Sequence, residues 1–268
     1  MSIPRILVGA AIVAALSIPL TAQQAPTGFH SIACVKVNPG KWAEIEEWIA
    51  GTGHKLDQSL VDSGTIAGTI SLRTELPQGS ASECDYVFVT FFNGLPSEPP
   101  STEELSKALH KAGVPLTAEQ FYTKRGELGT LVYDNITQYQ TLVGGAKKGG
   151  YLVFNSMNAP DVGACVAYQQ KVWKPLAEEM VKAGNSDGWA INEQVFPRGA
   201  KDKTAVSTVD LYPSWNAFIN VYPSMMDAWK KVHPDMDFNS TMGQQFEKLC
   251  SIEHTVLYKV VDVTVSAK

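Results

Sequence analysis

Apolar residues recur at helical spacing in two stretches and gather into short strand-like runs elsewhere. The two kinds of segment follow one another in the same order twice. Trp42, Ile45, Ile49, Leu56 and Leu60 share one helical face, and Tyr168, Val172, Leu176 and Met180 share another. Runs rich in Val, Ile, Leu, Thr and aromatic residues predict strands at Ile32–Val37, Tyr86–Phe92 and Thr130–Ile136. They predict strands again at Leu152–Met157, Val206–Tyr212 and His254–Val263. Between helix and third strand lies a matched segment. Gly64 and Pro77 are separated by 12 residues, as are Gly184 and Pro197, and each Pro opens a Pro-x-Gly. Upstream, both first strands run into Asn38-Pro39 or Asn158-Ala-Pro160. Downstream, His110 and His233 each precede a polar loop and then a helix carrying Phe121 or Phe246.

The order in each half is therefore β-α-β-β-α-β, one α+β unit written twice. Four strands with this connectivity form an antiparallel sheet with both helices on one face. The other face needs a partner, and a second unit in the same chain supplies it. The pattern, with Val35-Lys-Val-Asn-Pro-Gly-Lys-Trp42 as the turn from strand into helix, resembles the dimeric α+β barrel superfamily. Its members include the NIPSNAP, EthD-like and antibiotic-biosynthesis-monooxygenase groups. The resemblance covers nearly the whole mature chain and implies two ferredoxin-like repeats, 23–145 and 146–268, packed sheet to sheet as an intramolecular barrel. Because the duplication replaces a dimer partner, a monomer is expected.

The first 22 residues change the picture of where the protein works. Arg5 precedes the apolar stretch Ile6–Leu20, and small residues follow at Thr21 and Ala22, the pattern of a secretory signal peptide. A stretch of 15 residues holding Gly9 and Pro19 falls short of the roughly 20 apolar residues of a membrane span. A secreted or periplasmic protein is expected, with no membrane attachment after cleavage. The net charge of −5 at pH 7 is mild, and basic residues are scattered, so the footprint of a nucleic-acid binder is missing.

The four cysteines fall two to a half. In the topology that the resemblance implies, Cys34 late in the first strand faces Cys84 at the start of the third. Cys165 early in one helix shares an end with Cys250, which closes the antiparallel helix beside it. The expected bridges are Cys34–Cys84 and Cys165–Cys250, formed in an oxidising compartment; the alternative is four buried thiols. Their wide spacing predicts no metal site.

Candidate chemistry is thinly spread. Gly51 and Gly53 interrupt the first helical stripe and Pro175 the second, at costs of about 1 and 3 kcal/mol. Matched breaks predict room over the sheet, with His54 after the first and Trp173 beside the second; the alternative is an ordinary kink in solvent. Strand alternation sets Trp189 and Glu193 on one face, and Asp210 and Tyr212 on the face of the next strand. Glu193 and Asp210 are read as general acid–base groups among apolar neighbours, or as rim residues facing water or paired with Arg73 or Lys259. Tyr86 and Tyr212 are expected in the core or a cavity wall. No cofactor is expected. Some relatives of the resembling fold bind haem through a histidine, which points to His254 by analogy alone. The candidate set is His54, Glu193 and Asp210 for catalysis and Trp173, Trp189, Tyr86, Tyr212 and His254 for a ligand. Three functions fit: an exported small-molecule-binding barrel, a cofactor-independent monooxygenase or isomerase acting on a small aromatic or polyketide-like substrate, or an interaction protein with a filled barrel.

Overall fold

The structure, a computed structural model, describes residues 28–96, 98–198 and 204–266; the expected signal peptide lies outside them. The first repeat contributes β1 (Phe29–Val37), β2 (Gly68–Leu76), β3 (Tyr86–Phe91) and β4 (Gly129–Gly144). The second contributes β5 (Tyr151–Asn158), β6 (Gly188–Phe196), β7 (Thr204–Tyr212) and β8 (Ser251–Val265). All pair antiparallel and close in the order β1-β3-β2-β8-β5-β7-β6-β4.

Closure depends on the last strand of each repeat, which is longer than the pattern predicts. β4 pairs with β1 over Gly129–Gln138 and goes on to pair with β6 over Ile136–Gly144. β8 pairs with β5 over Ser251–Lys259 and with β2 over Leu257–Val265. Each long strand thus starts in its own sheet and finishes in the other. Joining both edges leaves none of these eight strands with an unpaired edge.

Side-chain alternation then divides the molecule. Ile32 and Cys34, Ile70 and Leu72, Val87 and Val89, Leu152 and Phe154, Val209 and Leu211, and Val256, Tyr258 and Val260 form one apolar cluster. Strands of both repeats enter this cluster and none of its residues is helical, so it fills the barrel. His30 lies towards one end of the barrel, its ring centroid 4.4 Å from that of Tyr139 and its Nε2 2.6 Å from Thr137 Oγ1. Burial pushes the His30 imidazole down to about 3, so it is neutral.

The opposite strand faces lie under helices. Over the first repeat run α1 (Trp42–Trp48), a π-helical turn (Ile49–Gly53) and α2 (His54–Asp62), with α3 (Thr102–Lys111) and α4 (Ala118–Leu128) beside them. Over the second runs α5 (Val162–Lys182), followed later by α6 (Trp215–Ile219), α7 (Val221–Val232), a π-helical turn (Ser240–Phe246) and α8 (Glu247–Leu249). The sequence predicts one helix in each second crossover; the structure has several. Local chemistry accounts for α3 and α4: Ser101 with Glu104 and Thr117 with Gln120 form capping boxes that satisfy helix-start N–H groups.

The matched helix breaks hold in one half only. Glycines in the first helix coincide with the π turn, whereas α5 runs unbroken through Pro175. Val172, Leu176 and Met180 of α5 are buried against Ala228 and Trp229 of α7. At about 1.5–3 kcal/mol each, their burial outweighs the proline cost. Both helices end at a glycine with positive φ, Gly64 at 73° and Gly184 at 75°, a backbone that residues with a Cβ resist.

Both expected disulfides are present, Cys34–Cys84 with Cα atoms 5.3 Å apart and Cys165–Cys250 at 5.5 Å. One ties β1 to the start of β3. The other ties α5 to the residue before β8.

Candidate functional site

Among the described residues, each repeat has a place between helices and barrel that combines space with polar chemistry. In the second repeat, the period of two along β6 and β7 points Trp189, Asp210 and Tyr212 outward under α5. Trp189 and Asp210 are directly opposed across the two strands. Asp161 caps α5 by accepting from Ala164 N–H at 2.9 Å, and the helix carries Trp173 over the same spot. Trp173, Trp189, Asp210 and Tyr212 line a cavity of about 30 Å³, room for one or two waters, together with Val221 and Met225 of α7.

Asp210 accepts from Trp173 Nε1 at 3.3 Å and from Asn155 Nδ2 at 3.2 Å. It pairs with no cation among the described residues, and burial pushes its carboxyl from 3.8 up to about 6 despite those two donors. Burial raises the Tyr212 phenol as well, with the Asp210 charge adding to the effect. Trp189 is buried, and its Nε1 has no partner among the described residues. An apolar pocket with an unsatisfied donor beside a carboxyl of raised pKa has the ingredients of acid–base chemistry.

In the first repeat a larger cavity of about 350 Å³ opens beneath α1 and α4, against the end of β1 and the start of β4. Ile45 and Trp48, from the last turn before the π segment, form one wall, and Phe88 forms the floor. Tyr122 and Arg125 of α4 stand at its mouth. Arg125 sits 5.9 Å above the Phe121 ring and makes no ion pair among the described residues. The volume lies in the range of small-molecule sites, and the wall is aromatic with one cation.

A polar group lies at the start of α2. His54 Nδ1 is 2.7 Å from Asp262 Oδ2, and Lys148 Nζ is 3.0 Å from the other oxygen of the same carboxylate. Thr264 Oγ1 is 3.4 Å from His54 Nδ1. One turn along α2, Asp57 accepts from Thr69 Oγ1 at 2.9 Å. Burial, with the Asp262 charge in support, pushes the Asp57 carboxyl up to about 6.

The remaining candidates lie apart from these places. Tyr86 is buried and donates to Glu46 at 3.0 Å, within an ion network in which Arg73 bonds Glu46 and Glu75. Glu193 stays near the rim, yet its partners are Arg198 and Gln140, not Arg73 or Lys259. Asp210 departs from the rim reading: it is covered by α5, whose position over the sheet no local pattern reveals. His254 is exposed on β8 opposite Ser156, and neither cavity has a histidine in its wall. A buried axial ligand for haem is therefore not provided by His254. His233 Nε2 donates to the Val172 carbonyl at 2.8 Å, and Asp237 accepts from Ser240 N–H at 2.8 Å. Lys148 and Asp262 escaped sequence reasoning because their partners stand 114 and 208 residues away, and Asp57 and Arg125 because no local pattern marks a buried carboxyl or a cavity mouth.

No family model and no curated protein matches the chain. Solved structures do share its fold. A candidate monooxygenase from Lactobacillus acidophilus NCFM aligns with a TM-score of 0.56 at 8% identity, over 89% of this chain and 96% of that one. A candidate monooxygenase from Fusobacterium nucleatum subsp. nucleatum aligns at 0.54 and 8% identity, over 91% and 96%. A protein described as heme-binding, from Thermus thermophilus, aligns at 0.47 and 12% identity, over 88% and 92%. At these identities the likeness to the two candidate monooxygenases is one of fold, the duplicated α+β barrel.

Proposed function

We propose that this is an exported protein that binds a small aromatic molecule carrying an anionic group, held between the helices and the barrel of its first repeat. The observation that carries this reading is the cavity of about 350 Å³ with Trp48 and Phe88 in its walls and the Arg125 guanidinium at its mouth. Aromatic walls favour a planar apolar body, and a guanidinium that pairs with no carboxylate among the described residues favours a carboxylate or similar group. Two disulfides and the N-terminal apolar stretch agree with an oxidising, extracytoplasmic setting. The reading requires no cofactor and no second chain.

The test is titration calorimetry with 1-naphthoate and its neutral counterpart 1-naphthalenemethanol. Naphthoate should bind more tightly, and Arg125→Gln should weaken it about tenfold while leaving the alcohol unchanged. Equal affinity for both, or naphthoate binding indifferent to Arg125→Gln, refutes the reading. Native mass spectrometry of protein purified from its source should reveal an aromatic acid.

A second reading has its own observation. The desolvated Asp210 carboxyl faces Trp189, whose N–H lacks a partner among the described residues, as a cofactor-independent monooxygenase or isomerase would require of its proton acceptor and oxyanion donor. The description of two like-folded proteins as candidate monooxygenases is consistent with it. The small cavity demands that α7 move to admit a substrate. Protection of α7 amides from hydrogen exchange at the level of the barrel strands would count against it.

A further inference from the structure

We propose that His54 is the general base of a separate proton-transfer site for an enolisable 2-oxo carboxylate, with Lys148 holding the substrate's negative charge. The site is built across the two repeats. His54 opens α2 of the first repeat, directly after the π turn, and Asp262 comes from the part of β8 that has crossed into the first repeat's sheet. Interrupted helices of this kind place side chains where a regular helix would not.

The chemistry follows from the hydrogen bonds. An ionised carboxylate only accepts, so the 2.7 Å contact with Asp262 puts the His54 proton on Nδ1. Nε2 is then left with its lone pair, on a side chain that is 40% exposed while Asp262 is only 5% exposed. A buried carboxylate that fixes the tautomer and orientation of a half-exposed imidazole is the arrangement of a working base. Lys148 bonds the other oxygen of Asp262 through one of its three N–H donors, so base and ammonium flank a single carboxylate. Asp57 adds a second acid beneath them, bonded to Thr69.

The second repeat lacks this set. Counted from Gly64 and Gly184, His54 corresponds to Lys174, Asp57 to Ala177 and Thr69 to Trp189.

In the step proposed, His54 Nε2 takes the proton from the carbon next to the keto group. The C–H pair becomes the C=C bond, and the carbonyl π pair moves to oxygen, where the Lys148 ammonium stabilises the enolate. Return of the proton from Nε2 to that oxygen gives the enol, so atoms and charge balance with no oxidant or cofactor.

The probe is phenylpyruvate, whose keto–enol conversion is followed by ultraviolet absorbance. The full oxidised protein should accelerate it over buffer. His54→Gln, which can still donate to Asp262, should lose about 100-fold or more at unchanged melting temperature. Excess imidazole should restore a measurable part of the rate to His54→Ala, and Lys148→Met should raise KM more than it lowers kcat. A wild-type rate equal to buffer overturns the proposal, as does a His54→Gln rate within threefold of wild type. Loss in both His54 variants without imidazole rescue also overturns it, since His54 would then serve structure alone. Lys107→Gln, at an exposed position of α3 paired only with Glu103, should leave the rate unchanged.

Discussion

Replacing Asp210 by Asn tests whether the second repeat's cavity desolvates its carboxyl. Burial moves that carboxyl from an ordinary 3.8 to about 6 in the folded protein. A folded-state pKa above the unfolded one means that the folded protein resists ionisation. Stability is therefore complete below about pH 4 and falls as pH rises through about 6, the reverse of a salt-bridged aspartate. The shift corresponds to a penalty of about 3 kcal/mol once the group is charged. The replacement amide carries no charge to desolvate, but Trp173 and Asn155 donate to different oxygens of the carboxylate, so one of them would face the amide NH2, at a cost of about 1 kcal/mol. Asp210→Asn should thus match or slightly trail wild type at pH 4 and exceed it by about 2 kcal/mol at pH 8. Urea denaturation of both oxidised proteins across that range, extrapolated linearly, measures the difference. A stability difference that stays constant from pH 4 to pH 8 refutes the reasoning, because the carboxyl would then be as well solvated folded as unfolded.

Other expectations follow from the fold. Cys34→Ala with Cys84→Ala opens a loop spanning 50 residues and should cost about 4 kcal/mol in the same urea assay. Leu72→Ala removes a side chain from the filled barrel and should cost about 2–5 kcal/mol, read as a lowered midpoint at unchanged m-value. A Cβ at Gly188 would run into the Val143 carbonyl oxygen across the β6–β4 seam, so Gly188→Ala should cost about 3 kcal/mol by calorimetry. Because both repeats' edges are consumed in the closed barrel, light scattering should find a monomer at micromolar concentration.

Repetition made the fold legible. Two copies of the same turn, helix and strand order left one economical arrangement, and the disulfides followed from it because strand adjacency places Cys34 beside Cys84. Lengths were less legible. β4 extends well past its apolar run and β8 by a few residues, since polar positions such as Thr141 and Thr264 read as loop until their strands are seen under the other repeat's helices. Pro175 shows the limit of a local rule: a helix expected to break there holds because α7 covers it.

Composition and periodicity by themselves determined the repeated α+β unit, the faces of its strands and helices, and a few candidates such as His54 and Asp210, because these depend on near neighbours in the chain. Tertiary structure alone decided which of those residues meet. His54 finds Asp262 only because β8 crosses into the first repeat's sheet, and Asp210 is desolvated only because α5 and α7 close over it. Arg125 stands at a cavity mouth only because α4 packs beside α1. Burial, charge pairing and free volume depend on atoms brought together from distant parts of the chain, and closure of the barrel supplied those neighbours.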